Sequence, residues 1–230
     1  LRNNSLYCLT TSSMYTGRKS MNLMSSHLGQ SSWFRHEAEV GMPPHQNHRW
    51  LVSVAQAGVA FARLLWCVCV SDDGSLIVSG SNDNTIRVWR SSSGECVCTL
   101  SGHTSWIQCV RMSHDNSLIA SGCQDNTIRL WSLSSGVCVK TLKGHTDSVT
   151  NVVFSYDNSR LISGSYDKSV RIWNVLSGVC ERTISDFPYY VNGVSLSIDT
   201  HTLAVACGIL ECDDHGYDES KGALIVCDIE

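Results

Sequence analysis

The chain has 230 residues, of which 43% are hydrophobic and 17% charged, and its formal net charge is -4. That apolar content is ample for a buried core and excludes a disordered chain, while the lack of a basic surplus argues against a nucleic-acid binder. Three prolines and seventeen glycines exclude collagen-like and low-complexity sequences.

Residues 1–60 are rich in Ser, Asn, His and Met, broken at Pro43-Pro44 and without periodicity, so they are expected to be mostly irregular, with a short helix over 52–62. The apolar run 50–70 is interrupted by Ser53, Gln56 and Arg63. It reads as core rather than as a membrane span, because a central arginine costs about 2.5–3.5 kcal/mol on insertion. The chain opens on Leu1 rather than methionine and is expected to be part of a longer product.

From about residue 61 the sequence repeats itself. Trp89, Trp131 and Trp173 lie 42 apart, as do Asp83, Asp125 and Asp167, and Gly80, Gly122 and Gly164. The segments around them read SGSNDNTIRVW, SGCQDNTIRLW and SGSYDKSVRIW. Each unit holds four short alternating runs separated by turn residues, the pattern of strands and hairpins. In the second unit the runs are 106–112, 118–122, 128–131 and 137–142, with turns at 113–116, 124–126 and 134–136. A lone four-stranded sheet cannot bury both faces, so neighbouring units must stack.

Of the twelve cysteines, Cys96, Cys138 and Cys180 follow the same 42-residue interval and so fall in different units, too far apart to bridge. The pairs Cys67/Cys69 and Cys96/Cys98 have C-x-C spacing, which puts both thiols on one face of a strand and is not a zinc or redox spacing. The cysteines are expected to be buried, reduced thiols packing as small apolar groups, in a cytoplasmic or nuclear setting.

These units resemble the WD40 repeat family, whose units form the blades of a β-propeller, over residues 61–230. Gly102-His103 and Gly144-His145 match the family's Gly-His dipeptide, and Trp89, Trp131 and Trp173 its tryptophan, although Arg90, Ser132 and Asn174 stand where an aspartate is usual. The resemblance implies an all-β, partial propeller of about four blades, at 61–102, 103–144, 145–186 and 187–230. It also implies a structural hydrogen-bond network of His103, Ser121, Asp125 and Trp131 in the second blade and His145, Ser163, Asp167 and Trp173 in the third. A His, Ser and Asp together also suggest a hydrolase triad. The recurrence in register and the indole N–H, which needs a buried acceptor, favour a structural role.

The outer units depart from the pattern. Phe61 stands where the first needs histidine. In the fourth, Phe187, Val205 and Cys227 replace histidine, serine and tryptophan, and the third strand, 223–229, comes 12 residues late, after an insert around 211–221. The first-turn aspartates Asp73, Asp115, Asp157 and Asp199 stay in register. The outermost strand of the fourth blade is expected to be missing unless the N-terminal region donates one, and further sequence or a partner is expected to cover the open ends.

In this architecture the start of the first strand and the turn between strands two and three share a rim, which the family commonly uses to hold proteins or peptides. Leu64, Trp106, Ser148 and Tyr190 occupy the first position, and Asn82, Gln124 and Tyr166 the second. Trp106, Tyr166 and Tyr190 are read either as binding hot spots or as packing between blades. The insert ECDDHGYDESK, with Asp213 and Asp214 at its centre, is read as a solvated acidic loop on the same rim that favours a basic or polar partner. No phosphate-cradling loop or metal-ligand spacing is present, so no cofactor or metal is expected. The expected function is a non-catalytic scaffold within a multiprotein complex. The alternative is a propeller appended to an enzyme, a ubiquitin-ligase-like protein or a nucleotide-binding regulator whose catalytic part lies elsewhere.

Overall fold

The computed structural model describes residues 65–208 and 222–229, together with the backbone of 212–213 and 216–217. The expected irregular segment, the helix over 52–62, most of the apolar run 50–70 and Leu64 lie outside the described residues, within which no helix is long and apolar enough to cross a membrane.

The described chain is all-β. The first sheet runs β1 (Leu65–Val70), β2 (Leu76–Ser81), β3 (Thr85–Arg90) and β4 (Cys96–Ser101), and the second β5 (Ile107–Met112), β6 (Leu118–Cys123), β7 (Thr127–Ser132) and β8 (Cys138–Lys143). The third comprises β9 (Val149–Phe154), β10 (Arg160–Ser165), β11 (Val170–Asn174) and β12 (Cys180–Ile184). The fourth has three strands, β13 (Tyr190–Leu196), β14 (Thr202–Gly208) and β17 (Gly222–Asp228), and a separate two-stranded ribbon, β15 (Cys212–Asp213) with β16 (Gly216–Tyr217), lies within the insert. All described pairs are antiparallel, and the register repeats. Trp89 faces Ile77, Trp131 faces Ile119, Trp173 faces Leu161, and the substitute Cys227 faces Leu203.

The turn between the first two strands is set by one device used four times. Ser71, Ser113 and Ser155 each donate to the aspartate two residues on, Asp73, Asp115 and Asp157, at 2.6 Å, and Ser197 does so to Asp199. The same carboxylates accept the backbone N–H of residues 75, 117, 159 and 201 at 2.9–3.1 Å, closing Asx turns. Hydrogen bonds from these serines hold all four carboxyls below the usual range, that of Asp157 at about 2. The next residue has positive φ in every unit: Gly74 at 71°, Asn116 at 57°, Asn158 at 59° and Thr200 at 64°. Gly and Asn adopt that region readily; a β-branched threonine does so only under strain, a local sign of the erosion of the fourth unit.

Each sheet has a trailing face, which packs on the next sheet, and a leading face, which packs on the previous one. The first junction brings Cys67, Val78, Ile86 and Val88 against Ile107, Val110, Ile119 and Trp131. The second and third repeat it, with Ile128 and Leu130 against Val149, Val152 and Trp173, then Val170 and Ile172 against Val191 and Val194. The repeated glycine lies at the centre of each contact. A Cβ on Gly80 would lie 2.5 Å from Ile107 Cγ2, one on Gly122 2.7 Å from Val149 Cγ1, and one on Gly164 2.5 Å from Val191 Cγ1. Sheets approach this closely only because the second strand lacks a side chain there.

The cysteines divide. Cys67, Cys69, Cys109, Cys123 and Cys207 are buried at these junctions, as expected. Cys96 is exposed, and Cys138 and Cys180 are only half-buried. These three begin the outermost strand of each sheet, which has a neighbour on one side only. The 42-residue interval therefore marks a common place in the fold rather than a common burial.

Candidate functional site

The Gly-His dipeptides lead into the first strand of the second and third blades, and the hairpins after β6 and β10 bring aspartates beneath them. His103 Nδ1 lies 2.8 Å from Asp125 Oδ2 and its Nε2 2.8 Å from Ser121 Oγ, which accepts the Trp131 indole N–H at 2.9 Å. The third blade repeats this with His145 to Asp167 at 2.8 Å, His145 to Ser163 at 2.7 Å and Trp173 to Ser163 at 2.9 Å. One direction of donation satisfies every group: indole N–H to hydroxyl, hydroxyl to Nε2, and Nδ1–H to carboxylate. Gly102 and Gly144 are small because a Cβ would lie 3.2 and 3.1 Å from the Trp131 and Trp173 rings and under 3 Å from the Arg129 and Arg171 guanidinium groups.

This arrangement does not make a nucleophile. Ser121 and Ser163 are wholly buried, and each oxygen already accepts from an indole while facing its histidine. His103, Cys123 and Asp125 also gather three ligand-type atoms within 4.8 Å. Both ring nitrogens of His103 are already committed, and burial pushes the Cys123 thiol up to about 12, so it stays a neutral thiol. A polar hollow of about 360 Å³ that includes Asp157, Arg160 and Glu181 lies against the β9–β10 turn and contains no member of the network.

The first and fourth blades solve the same problem differently. In the first, Trp89 donates to Ser79 at 2.8 Å, and Arg87 takes a side of Asp83 at 2.9 Å. In the blades where histidine holds the aspartate, the equivalent Arg129 and Arg171 instead lie 6.0 Å from the centres of the Trp131 and Trp173 rings. The fourth blade makes the position apolar: Phe187 and Val205 are buried in one cluster, next to the half-buried Cys227.

Asp125 and Asp167 are held well below the ordinary carboxyl value of 3.8. Burial by itself would raise them, but it is outweighed by hydrogen bonds from His103, Thr127 and the Thr104 N–H to the first, and from His145, Ser169 and the Thr146 N–H to the second. A carboxyl with a lowered folded-state pKa contributes stability above its unfolded value and loses that contribution as pH falls toward the folded one. The melting temperature should therefore change little with these groups above about pH 5 and fall below about pH 4. Melts followed by circular dichroism should show a shallower acid decline in Asp125→Asn than in the parent; identical declines would contradict the assignment.

On the rim, the candidate binding residues form two aromatic groups. Trp106, 41% exposed, precedes β5 and stacks on Trp66 of the first blade at 5.4 Å and 23°. Its carbonyl accepts the Gln124 N–H at 3.0 Å, and Ser105 reaches the Gln124 side chain at 3.2 Å. Tyr166 and Tyr190, from the third and fourth blades, meet at 5.2 Å, with the Lys168 ammonium 5.8 Å from the Tyr190 ring centre. Burial, then the nearby Asp147, raises the Tyr166 phenol. Asn82 sits half-buried at the β2–β3 turn, and Ser148 is buried. Asp213 has a described backbone on β15, and Asp214 lies outside the described residues. The pairing of Gly208 with Gly222 puts the insert in the place of the turn between strands two and three.

Trp66 and Lys168 are additions that sequence reasoning missed. Trp66 sits at a register irregularity between Leu65 and Cys67, which recurs between Ile107 and Cys109 and between Val191 and Gly193. A bulge shifts the alternation by one residue and re-aims the side chain. Lys168 has a φ of 62° where the first two blades have Asn84 and Asn126. That repeated turn position was the available signal.

The family model described as "WD domain, G-beta repeat" matches residues 61–90, 94–132 and 136–174. Among curated relatives, the pre-mRNA-splicing factor PRP46 of Eremothecium gossypii is 35% identical over 96 residues, 39% of this chain and 22% of the relative. WD repeat-containing protein 18 of Danio rerio is 32% identical over 81 residues, 35% of this chain and 16% of the relative. Nuclear distribution protein PAC1 of Mycosarcoma maydis is 49% identical over 35 residues, 15% of this chain and 8% of the relative. The chain thus spans less than a quarter of the length of these relatives.

Proposed function

We propose, on the premise that this chain carries WD40 repeats, that it is a non-catalytic platform whose aromatic rim holds a protein or peptide. The observation that carries this reading is Trp106. It is 41% exposed although large and apolar, it is backed by Trp66 and flanked by Gln124, and so it offers a rigid ring beside a hydrogen-bonding amide. Supported aromatics of this kind carry a large share of binding energy at protein interfaces. Tyr166, Tyr190 and Lys168 offer a second anchor that favours an acidic or aromatic group. The net charge of -4 favours a protein over a nucleic acid, and the unbridged thiols of Cys96, Cys138 and Cys180 fit a reducing cytoplasm or nucleus.

The saturated His-Ser-Asp-Trp sets support a structural role for the residues that most resemble catalytic ones. Affinity capture with the parent and with Trp106→Ala tests the platform. The variant should lose at least one captured protein while keeping its melting temperature within about 2 °C, as surface substitutions do. An unchanged set of captured proteins would contradict the proposed role of the rim.

A further inference from the structure

Three arginines occupy one register position, each opposite a threonine of the outermost strand: Arg87 and Thr99, Arg129 and Thr141, Arg171 and Thr183. A cysteine begins each of those strands, and the Sγ atoms of Cys96, Cys138 and Cys180 lie 3.6–3.9 Å from the threonine hydroxyls. The three sets are alike in sequence but differ in what the guanidinium meets. In the first blade Arg87 Nη2 donates to Asp83 Oδ2 at 2.9 Å, an ion pair whose side chains are 15% and 19% exposed. In the second and third blades a histidine takes the equivalent aspartate. The guanidinium then meets sulfur instead: Arg129 Nη1 lies 3.9 Å from Cys138 Sγ, and Arg171 Nη1 3.9 Å from Cys180 Sγ.

Among the described residues neither Arg129 nor Arg171 has a carboxylate partner, and the Nε of each is buried without an acceptor. A cation that leaves water needs an anion or a full set of acceptors in return. The indole face 6.0 Å away supplies part of this, and a neutral thiol is only a weak acceptor. The thiol protons are directed elsewhere, from Cys138 to the Lys140 carbonyl at 3.2 Å and from Cys180 to the Arg182 carbonyl at 3.4 Å. Each sulfur therefore turns a lone pair toward its guanidinium. The group absent from both places is an anion at the sulfur position.

We propose that Cys138 and Cys180 are oxidation sites, converted by hydrogen peroxide to sulfinates that each form the ion pair their arginine lacks. Sulfur first attacks the peroxide O–O bond; an S–O bond forms, water leaves, and the thiol becomes a sulfenic acid. A second peroxide adds the second oxygen in the same way, giving a sulfinate, a proton and another water, so that sulfur is oxidised and both peroxides are reduced. The guanidinium favours the step that places negative charge on the sulfur oxygens, and the two oxygens match its fork as a carboxylate does. Cys96 is the most exposed of the three, but Arg87 is already paired, so its oxidation gains no partner.

Titration of the full chain with hydrogen peroxide, read by mass spectrometry of its peptides and by circular dichroism melts, tests this. Cys138 and Cys180 should each take up two oxygens at a lower peroxide concentration than Cys96, the reverse of the order that exposure predicts. At that concentration the melting temperature should rise by about 2–4 °C, and the combined Arg129→Gln and Arg171→Gln variant should lose the rise. Cys138→Asp, which sets a carboxylate beside Arg129 without any oxidant, should raise the melting temperature of the untreated chain, whereas Cys96→Asp should not. Oxidation in order of exposure, a melting temperature that falls when the two cysteines are modified, a rise that survives loss of both arginines, or no gain from Cys138→Asp would each overturn the proposal.

Discussion

Trp131→Ala is expected to lower the unfolding free energy by about 3–5 kcal/mol, which for a marginally stable protein is a large part of the total. The side chain is almost wholly buried at the junction of the first two blades, and its N–H ends the chain that begins at Asp125. Truncation opens a cavity between two sheets and removes the donor to Ser121. Trp131→Phe separates the two contributions: it keeps most of the buried ring, loses the hydrogen bond and should cost about 1–2 kcal/mol. Urea unfolding followed by fluorescence and circular dichroism reads both. A Trp131→Ala variant within 1 kcal/mol of the parent, well short of the roughly 3–5 expected, would contradict the packing described.

Gly122→Ala is the second large effect, and its sign is opposite to what residue propensity predicts. In a strand, alanine would ordinarily be no worse than glycine. Here the added Cβ would lie 2.6 Å from Cys109 Sγ, 2.7 Å from Val149 Cγ1 and 3.0 Å from the Val149 carbonyl, so a side chain and the backbone of the next blade must both move. Overpacking of this kind costs about 1–3 kcal/mol. Gly74→Ala is the control, since nothing lies within 4 Å of its added Cβ and only its φ of 71° opposes the change. If the variant at Gly122 melted with the parent, the second-strand glycine would not be what lets the blades close up.

Most of the architecture could be read from the 42-residue interval, because tryptophan, glycine and aspartate each mark a fixed place on a strand or turn. The runs assigned to the second unit fall within about a residue of β5 to β8. The network residues were legible for the same reason: a buried indole N–H, a serine ten residues before it and an aspartate in the intervening turn can meet only if the hairpin is in register. Burial of individual side chains was less legible. Cys96 looks like a core residue in an alternating run, yet its strand pairs only with β3 and leaves it exposed. Trp66 looks like a strand residue of the first blade, but the bulge beside it brings it beneath Trp106. Both depend on the lateral neighbours of a strand, which alternation along one strand does not encode.

The repeated histidine, serine, aspartate and tryptophan stabilise the blade that contains them through one continuous run of hydrogen bonds. A double-mutant cycle with His103→Ala, Ser121→Ala and the combined variant, measured by urea unfolding, tests it most directly. Each single change should cost about 1–3 kcal/mol by leaving buried polar atoms unpaired, and the double should cost less than the sum, because the second change removes a group already orphaned by the first. Single variants that unfold at the parent's urea concentration would contradict the claim.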